Sequence, residues 1–533
     1  MARSAGHPLA IARFKPGRQR QAGATSFAHL DSLRSPDTTP PSAFEDHLAA
    51  PRGRGRLARA PHAGAAGGAP CGDLVRVAVR VEGDRVVEAG FDARGCGAAL
   101  AAGSAVVELV EKTPLLTAAR VGADRISAAL GGLTPSKRHA ATLAADALHR
   151  ALGSAAAADA HLRSEDRRTL VALSGGVDSA VAAQLARSDG DEVVAVTLEL
   201  WSDPANDGAR SCCSPQAVTG ARALAHAMGL PHLTLDLRER FRREVVDDFL
   251  AEHAAGRTPN PCVRCNGFVR FAELLALAER LGAQRLATGH YAGIVRDRDG
   301  PLLAPAADSG KDQTYMLARL EPADLERLHF PLAGRTKPEV RAIARAADLP
   351  AADRAESQDL CFLAGVGKQS FLRRHGDPAR AGAAGGDRPR GEIVSVAGTV
   401  VGHHEGQEGY TVGQRRGLGV AAPQPLYVLG KDPEANRLTV GPREALATAT
   451  LALHDAVLHR DGDRVDRVKL RYRSAPVDCR LDGPPPRGSH ARASLTLAQP
   501  TEAAAPGQTA CLLAGDRIVG CATIGADERA SLT

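Results

Sequence analysis

A chain of 533 residues with 44% hydrophobic and 24% charged residues is too long for one hydrophobic core, and three or four domains are expected. Aromatics contribute only 3%, so Val, Leu, Ile and Ala must fill the cores, and no apolar run approaches the roughly 18 residues a membrane span requires. The net charge of +6 is carried by residues 1–60, where ten Lys/Arg face four Asp/Glu; the balanced remainder must meet any nucleic acid through local basic patches.

Residues 1–62 are rich in Pro, Arg, Ser and Gly, lack apolar periodicity and read as a disordered basic tail. The first thirty contain no acid, a trait of organellar transit peptides, but neither an amphipathic helix nor a secretory apolar stretch accompanies it, so a cytoplasmic location is expected. Ten unevenly spaced cysteines point to a reducing compartment, with reactive or metal-binding thiols rather than a disulfide framework.

Residues 74–82 alternate as a strand does and 86–91 form a second, while 98–111 and 137–152 have helical spacing, which makes a small α+β unit over 63–153. A charged linker, Ser164-Glu165-Asp166-Arg167-Arg168, follows. From Thr169 short apolar strands (170–173, 193–198, 233–237, 285–288) alternate with helical stretches (180–187, 215–228, 238–253, 268–281), the pattern of a parallel sheet covered on both faces, over 166–372. Ligands of such sheets lie at the carboxyl ends of the strands. After about residue 385 the helical pattern gives way to Gly-rich alternating strands, read as two small β domains, 385–442 and 448–530, the second a barrel.

The first of those apolar strands runs into Ala172-Leu173-Ser174-Gly175-Gly176-Val177-Asp178-Ser179, and a helix follows. Two glycines permit a tight turn and close approach to an anion, and the N–H groups at a helix start favour phosphate oxygens. Ser174 and Ser179 add hydroxyl donors, and Asp178 is suited to orient the loop or hold Mg²⁺. No Lys follows the glycines, so the loop is not a Walker A motif. It resembles the PP-loop of ATP pyrophosphatases (adenine nucleotide alpha hydrolase-like), which implies ATP as substrate and pyrophosphate release.

Asn260-Pro261-Cys262-Val263-Arg264-Cys265-Asn266 reads as a turn carrying a C-x-x-C pair, and Glu356-Ser357-Gln358-Asp359-Leu360-Cys361-Phe362 follows nearly a hundred residues later. Between them lie Thr288-Gly289-His290-Tyr291-Ala292 and Gly310-Lys311-Asp312-Gln313-Thr314-Tyr315, and beyond them Gly413-Gln414-Arg415-Arg416-Gly417-Leu418-Gly419. With the PP-loop, these strings closely resemble the tRNA-specific 2-thiouridylases (the MnmA family) over about 168–525. The resemblance implies tRNA uridine 2-thiolation, with Cys265 as nucleophile and Cys361 as persulfide carrier, a Cys265–Cys361 disulfide in the cycle, and a sulfur donor such as a cysteine desulfurase or relay protein. It implies Leu198 and Gly289 at the ATP pocket, although Leu198 departs from the usual Met. It places Asn260, Pro261 and Cys262 at the target base, and His290, Lys311, Asp312, Gln313, Arg471, Tyr472 and Gln508 on tRNA. Many relatives have Asp where this chain has Cys262. That leaves open a [4Fe–4S] cluster on Cys262, Cys265 and Cys361 with its fourth iron holding hydrosulfide; a C-x-x-C alone equally suits zinc or a disulfide. The remaining Cys212, Cys213, Cys479, Cys511 and Cys521 read as structural thiols.

In the first unit, Pro70-Cys71-Gly72-Asp73, Gly95-Cys96-Gly97-Ala98-Ala99 and Ser136-Lys137-Arg138-His139-Ala140 resemble the iron–sulfur scaffold domain of the NifU/IscU family. Ala140 stands where that family has a third cysteine, which sets cluster assembly against two alternatives: a zinc site on Cys71, Asp73, Cys96 and His139, and a metal-free docking surface for a desulfurase. The rival readings of the whole chain are another PP-loop enzyme and an iron–sulfur or sulfur carrier with a vestigial PP-loop domain.

Overall fold

The computed structural model describes residues 42–68, 72–203, 214–354, 360–376, 390–502 and 504–526. Antiparallel strands Ala63–Gly67, Leu74–Glu82 and Arg85–Arg94 form the first sheet in that order. Helices Gly97–Val110 and Arg138–Ala158 cover it with Ala and Val side chains. Small residues bring the layers very close: a Cβ on Gly103 would lie 2.2 Å from the Phe91 ring.

The structure shortens the expected disordered tail. Ser42 and Glu45 form a reciprocal capping box on helix Ala43–Ala49, which packs on helix Gly97–Val110, and Arg52 behind it pairs with Asp46 and, at 3.0 Å, with Glu108. The Pro/Gly/Arg composition of 50–60 thus marks an irregular but anchored segment, with Gly53 and Gly55 in left-handed turns (φ 70° and 72°). The tail before Ser42 lies outside the described residues.

The expected charged linker is also corrected. Glu165–Ala172 is one strand whose polar half is held by Arg168, which pairs with Glu192 at 2.8 Å and donates to the Arg163 and Leu281 carbonyls. It is the middle strand of a five-stranded parallel sheet, ordered Leu328–His329, Ala283–Thr288, Glu165–Ala172, Glu192–Glu199, His232–Asp236. The chain leaves this middle strand first to one side and later to the other, so its carboxyl end is a topological switch point.

The first unit is built onto this sheet. Gly153 of helix Arg138–Ala158 lies against edge strand His232–Asp236 so tightly that a Cβ would sit 1.9 Å from the Thr234 carbonyl oxygen. The His232 amide donates to the Ala119 carbonyl at 2.9 Å. A chain of charges crosses the same contact: Arg222 to Asp146 (2.6 Å), Asp146 to Arg150 (2.8 Å), Arg150 to Glu199 (2.6 Å).

Strands Gly391–Ser395, Val400–His404, Tyr427–Asp432 and Arg437–Gly441 make the central β domain. Six strands from Ala447–Leu458 to Arg517–Ile524 close into a barrel by pairing the first with the last. Hairpin Gly293–Asp297/Gly300–Ala304, which follows the parallel-sheet strand Ala283–Thr288, extends the barrel sheet through Leu303 opposite Ile518.

Candidate active site

At the switch point Gly175 turns with φ 77°, a left-handed value that favours glycine, and Gly176 precedes helix Val177–Ser188, whose start has no side-chain cap. Its uncapped N–H groups are therefore available to an anion. The Ser179 hydroxyl accepts from the Ser174 amide (3.1 Å) and donates to the Gly176 carbonyl (3.1 Å), bracing the loop. Gly289, after the neighbouring strand, closes the other wall: a Cβ there would come within 2.6 Å of the Ser179 nitrogen. Leu198 lies near the carboxyl end of the strand on the opposite side.

Three further groups surround the loop. Lys337, 8% exposed, donates to both Asp178 oxygens (2.7 and 2.8 Å), the Tyr291 hydroxyl donates to the same carboxylate (2.9 Å), and Arg354 donates to the Gly175 carbonyl (3.0 Å). Lys337 opens helix Lys337–Ala346, fixed by a Thr336–Glu339 capping box. That Thr-x-x-Glu signature is legible in the sequence; its position beside the loop, nearly 160 residues from Asp178, is not. The loop lacks a lysine of its own, and the fold supplies one from elsewhere.

The expected turn at 260–266 is instead a helix start. The Asn260 side chain accepts from the Val263 amide (3.2 Å), Pro261 opens helix Pro261–Cys265, and the chain continues through a wide π-type turn, Asn266–Arg270, into helix Phe271–Arg280. Cys262 lies half-buried in the first turn and Cys265 is buried at 6% exposure. Cys361 is half-buried beside Phe362, whose ring packs on Phe241, Phe249 and Phe371 (6.0, 5.1 and 5.1 Å) and, with Phe371, on Trp201. Such ring pairs contribute about 1 kcal/mol each beyond burial. The helical run 238–254 carrying Phe241 and Phe249 also grips the other cysteine segment: Arg264 donates to the Glu244 carbonyl and pairs with Asp248 at 3.3 Å. One scaffold therefore holds both cysteine segments. Residues 356–359, and Cys71, Cys212 and Cys213, lie outside the described residues.

Most of the residues expected on tRNA gather where the barrel meets this helix. Gln508 donates to the Thr258 carbonyl (2.7 Å), the Thr258 amide to the Pro506 carbonyl (2.7 Å), and the Tyr315 hydroxyl to the Thr509 carbonyl (2.8 Å). Burial, with Asn260 and Arg471 acting against it, pushes the Tyr315 phenol up; burial also raises Tyr472, which feels Lys311, Asp312 and Cys262. Asp312 accepts from the Ala306 amide and the Thr314 hydroxyl, and Gln313 accepts from the Tyr291 amide. Asp312, Gln313 and Gln508 thus brace the chain itself in this state. His290, between Phe271 and Phe330, is held at about 3 by desolvation and by Arg270, so it is a neutral ring, not a phosphate-binding cation. Burial raises Cys521 to about 11 and Cys479 to about 12 and pushes Cys511 up, which leaves these thiols unreactive.

In the first unit Asp73 accepts from the Cys96 amide (2.8 Å), the Cys96 thiol lies 3.2 Å from its other oxygen, and His139 Nε2 lies 2.8 Å from that same oxygen. The three ligand atoms lie within 4.8 Å of one another, the only such group among the described residues. Gly95 permits the approach, since a Cβ would sit 2.0 Å from Asp73 Oδ1. His139 Nδ1 faces the Ser136 carbonyl (3.0 Å), so both ring nitrogens face acceptors, and a ring donating through Nδ1 offers Nε2 to a cation held with Asp73.

A parallel sheet with an uncapped Gly-Gly-helix anion loop at its switch point defines a PP-loop nucleotide-binding protein, here carrying an α+β unit and two β domains. Residues 167–365 match the tRNA methyl transferase HUP domain, 384–442 the tRNA methyl transferase PRC-barrel domain, 453–524 the aminomethyltransferase β-barrel domain, and 42–159 the NifU-like N-terminal domain. The chain is 43% identical over 491 residues to the bifunctional protein NifU/MnmA of Rubrobacter xylanophilus, covering 89% of this chain and 96% of that protein. It is 42% identical over 363 residues to the tRNA-specific 2-thiouridylase MnmA of Geobacter metallireducens (66% and 95%) and 42% over 367 residues to that of Thermus thermophilus (67% and 95%). The chain belongs to the tRNA-specific 2-thiouridylase MnmA family, in its form fused to a NifU-like unit.

Proposed function

We propose that this protein is a tRNA uridine 2-sulfurtransferase acting at the wobble position in the cytoplasm. The observation that carries the reading is the anion loop at the switch point combined with two cysteine segments gripped by one helical run. ATP and tRNA are its substrates. Ser174, Ser179 and the helix N–H groups bind the phosphates, Lys337 is the cation suited to the pyrophosphate, and Asp178 is the loop carboxylate suited to Mg²⁺. The uridine 2-oxygen attacks the α-phosphorus, forming a C2–O–AMP bond and releasing pyrophosphate.

The terminal sulfur of a Cys361 persulfide then attacks C2, and the C2–O bond breaks as AMP leaves. The Cys265 thiolate attacks Cys361 Sγ, which frees 2-thiouridine and oxidises the two cysteines to a disulfide; a cellular thiol reductant resets it, and a cysteine desulfurase or relay protein reloads Cys361. Asn260, Pro261 and Cys262 border the base, with Arg471, Tyr472 and Lys311 on the RNA side. In the first unit Asp73, Cys96 and His139 suit Zn²⁺ by donor type and by the acceptor-flanked imidazole, and the unit serves as the donor's docking site.

The test is thiolation of unmodified tRNA with Mg-ATP and a desulfurase, read by nucleoside mass spectrometry together with AMP and pyrophosphate release. No tRNA-dependent AMP would reduce the protein to a carrier. Iron and sulfide in anaerobically purified protein, lost in Cys262→Ala, would replace the persulfide route with a [4Fe–4S] one.

A further inference from the structure

Lys368, first residue of helix Lys368–His375, and Lys431, on strand Tyr427–Asp432, meet across the seam between the nucleotide-binding and central β domains. Lys431 Nζ donates to the Tyr410 carbonyl at 2.9 Å, and Lys368 Nζ lies 3.5 Å from the hydroxyl of the next residue, Thr411. Both are half-buried, and among the described residues neither forms an ion pair. The one acid whose field reaches Lys431, Glu408, acts more weakly on it than Lys368 does. Fully buried His253 faces both lysines, Lys368 the more strongly, and its Nδ1 has no hydrogen-bond partner. Thr411 also anchors the Gly413–Gly419 turn, its amide donating to Gln414 (3.2 Å), and that turn presents exposed Arg415 and Arg416.

Two ammonium groups brought together in a partly dry seam repel each other, and the folded chain gains nothing from them alone. An anion entering the seam removes the penalty, and backbone phosphate is the anion tRNA offers in series. We propose that Lys368 and Lys431, continued by Arg415 and Arg416, grip backbone phosphates of the tRNA. This rests on the reading that tRNA is the substrate. Burial and Lys368 lower Lys431 to about 7, in keeping with a pair that lacks its counter-ion.

The test compares full-length wild type with Lys368→Met, Lys431→Met and the double variant, using fluorescence anisotropy of unmodified tRNA against salt, and thermal melts without RNA. The double variant is expected to melt higher than wild type yet bind tRNA about tenfold more weakly, its log–log salt slope shallower by about one per lysine. Lys431→Arg is expected to keep both wild-type values. A lower melting temperature with unchanged affinity and slope makes the pair structural and overturns the proposal. Inorganic phosphate that raises the wild-type melting temperature, with tRNA affinity indifferent to the double substitution, assigns the seam to free phosphate and overturns it equally. Wild type that fails to bind tRNA sinks the substrate reading as well; wild-type binding with an indifferent double variant sinks this inference alone.

Discussion

The two cysteine-bearing sites of this chain are built in opposite ways. Asp73, Cys96 and His139 touch one another directly and form a ready-made ligand set at one end of a small-residue unit. Cys265 and Cys361 come from segments nearly a hundred residues apart that are both anchored on the helix run 238–254 and its aromatic rings, and both pack in one apolar cluster. A site for a small cation can be closed by its own hydrogen bonds. A site that must admit a nucleotide of a large RNA is assembled from distant segments held by shared anchors.

The sharpest break of this contrast is by substitution of the thiols. Cys361→Ser and Cys265→Ser are each expected to lower thiolation at least about a thousandfold while tRNA-dependent AMP release persists, measured on the same samples by mass spectrometry and pyrophosphate assay. Cys96→Ala reducing thiolation as fully, with inorganic polysulfide as the sulfane-sulfur donor in place of the desulfurase, would place the first unit directly in the sulfur path. Next, Lys337→Met is expected to slow AMP release about a hundredfold with tRNA affinity unchanged; equal loss of both would make the lysine a general structural element.

Smaller effects fall on the ligand set. Asp73→Ala is expected to remove zinc, read by metal analysis, and to slow desulfurase-driven thiolation about tenfold. Asp73 itself is held below the usual carboxylate range, by the Cys96 amide first and His139 next. Its contribution is therefore complete above the ordinary carboxylate value and fades as pH falls through the lower folded one. Acid unfolding of wild type against Asp73→Asn tests that window. The smallest effect concerns Lys431, whose folded value near 7 lies below its unfolded one. Between them the unfolded chain binds more protons, so stability should rise with pH from about 7 toward 10, and Lys431→Met should flatten that slope in denaturant titrations.

What the sequence discloses follows the locality of the signal. The parallel sheet is legible because its strands are buried on both faces and read as apolar runs, and the anion loop because its chemistry is contiguous. Strand Glu165–Ala172 begins with four charged residues, and the partners of Arg168, Glu192 and the Leu281 carbonyl, are remote, so it reads as a linker. The Asn-Pro pair at 260–261 suits a turn and a helix start equally, and only the Val263 amide decides. Lys337 and the hairpin Gly293–Asp297/Gly300–Ala304 carry ordinary local patterns; their roles come from tertiary placement. The residues expected at ATP lie at the carboxyl ends of neighbouring strands, whereas Gln508 and Asp312 turn their polar atoms on the chain itself.

The bare glycine at position 153 has a consequence for how the protein survives in a crowded cell. Without the long helix leaning on it, strand His232–Asp236 would leave a row of backbone donors and acceptors facing solvent, a template for another polypeptide to zip onto. Here that margin is roofed from within the same molecule. Cutting the chain at the junction would bare that rim, so the separated C-terminal part is expected to self-associate more readily than the intact chain.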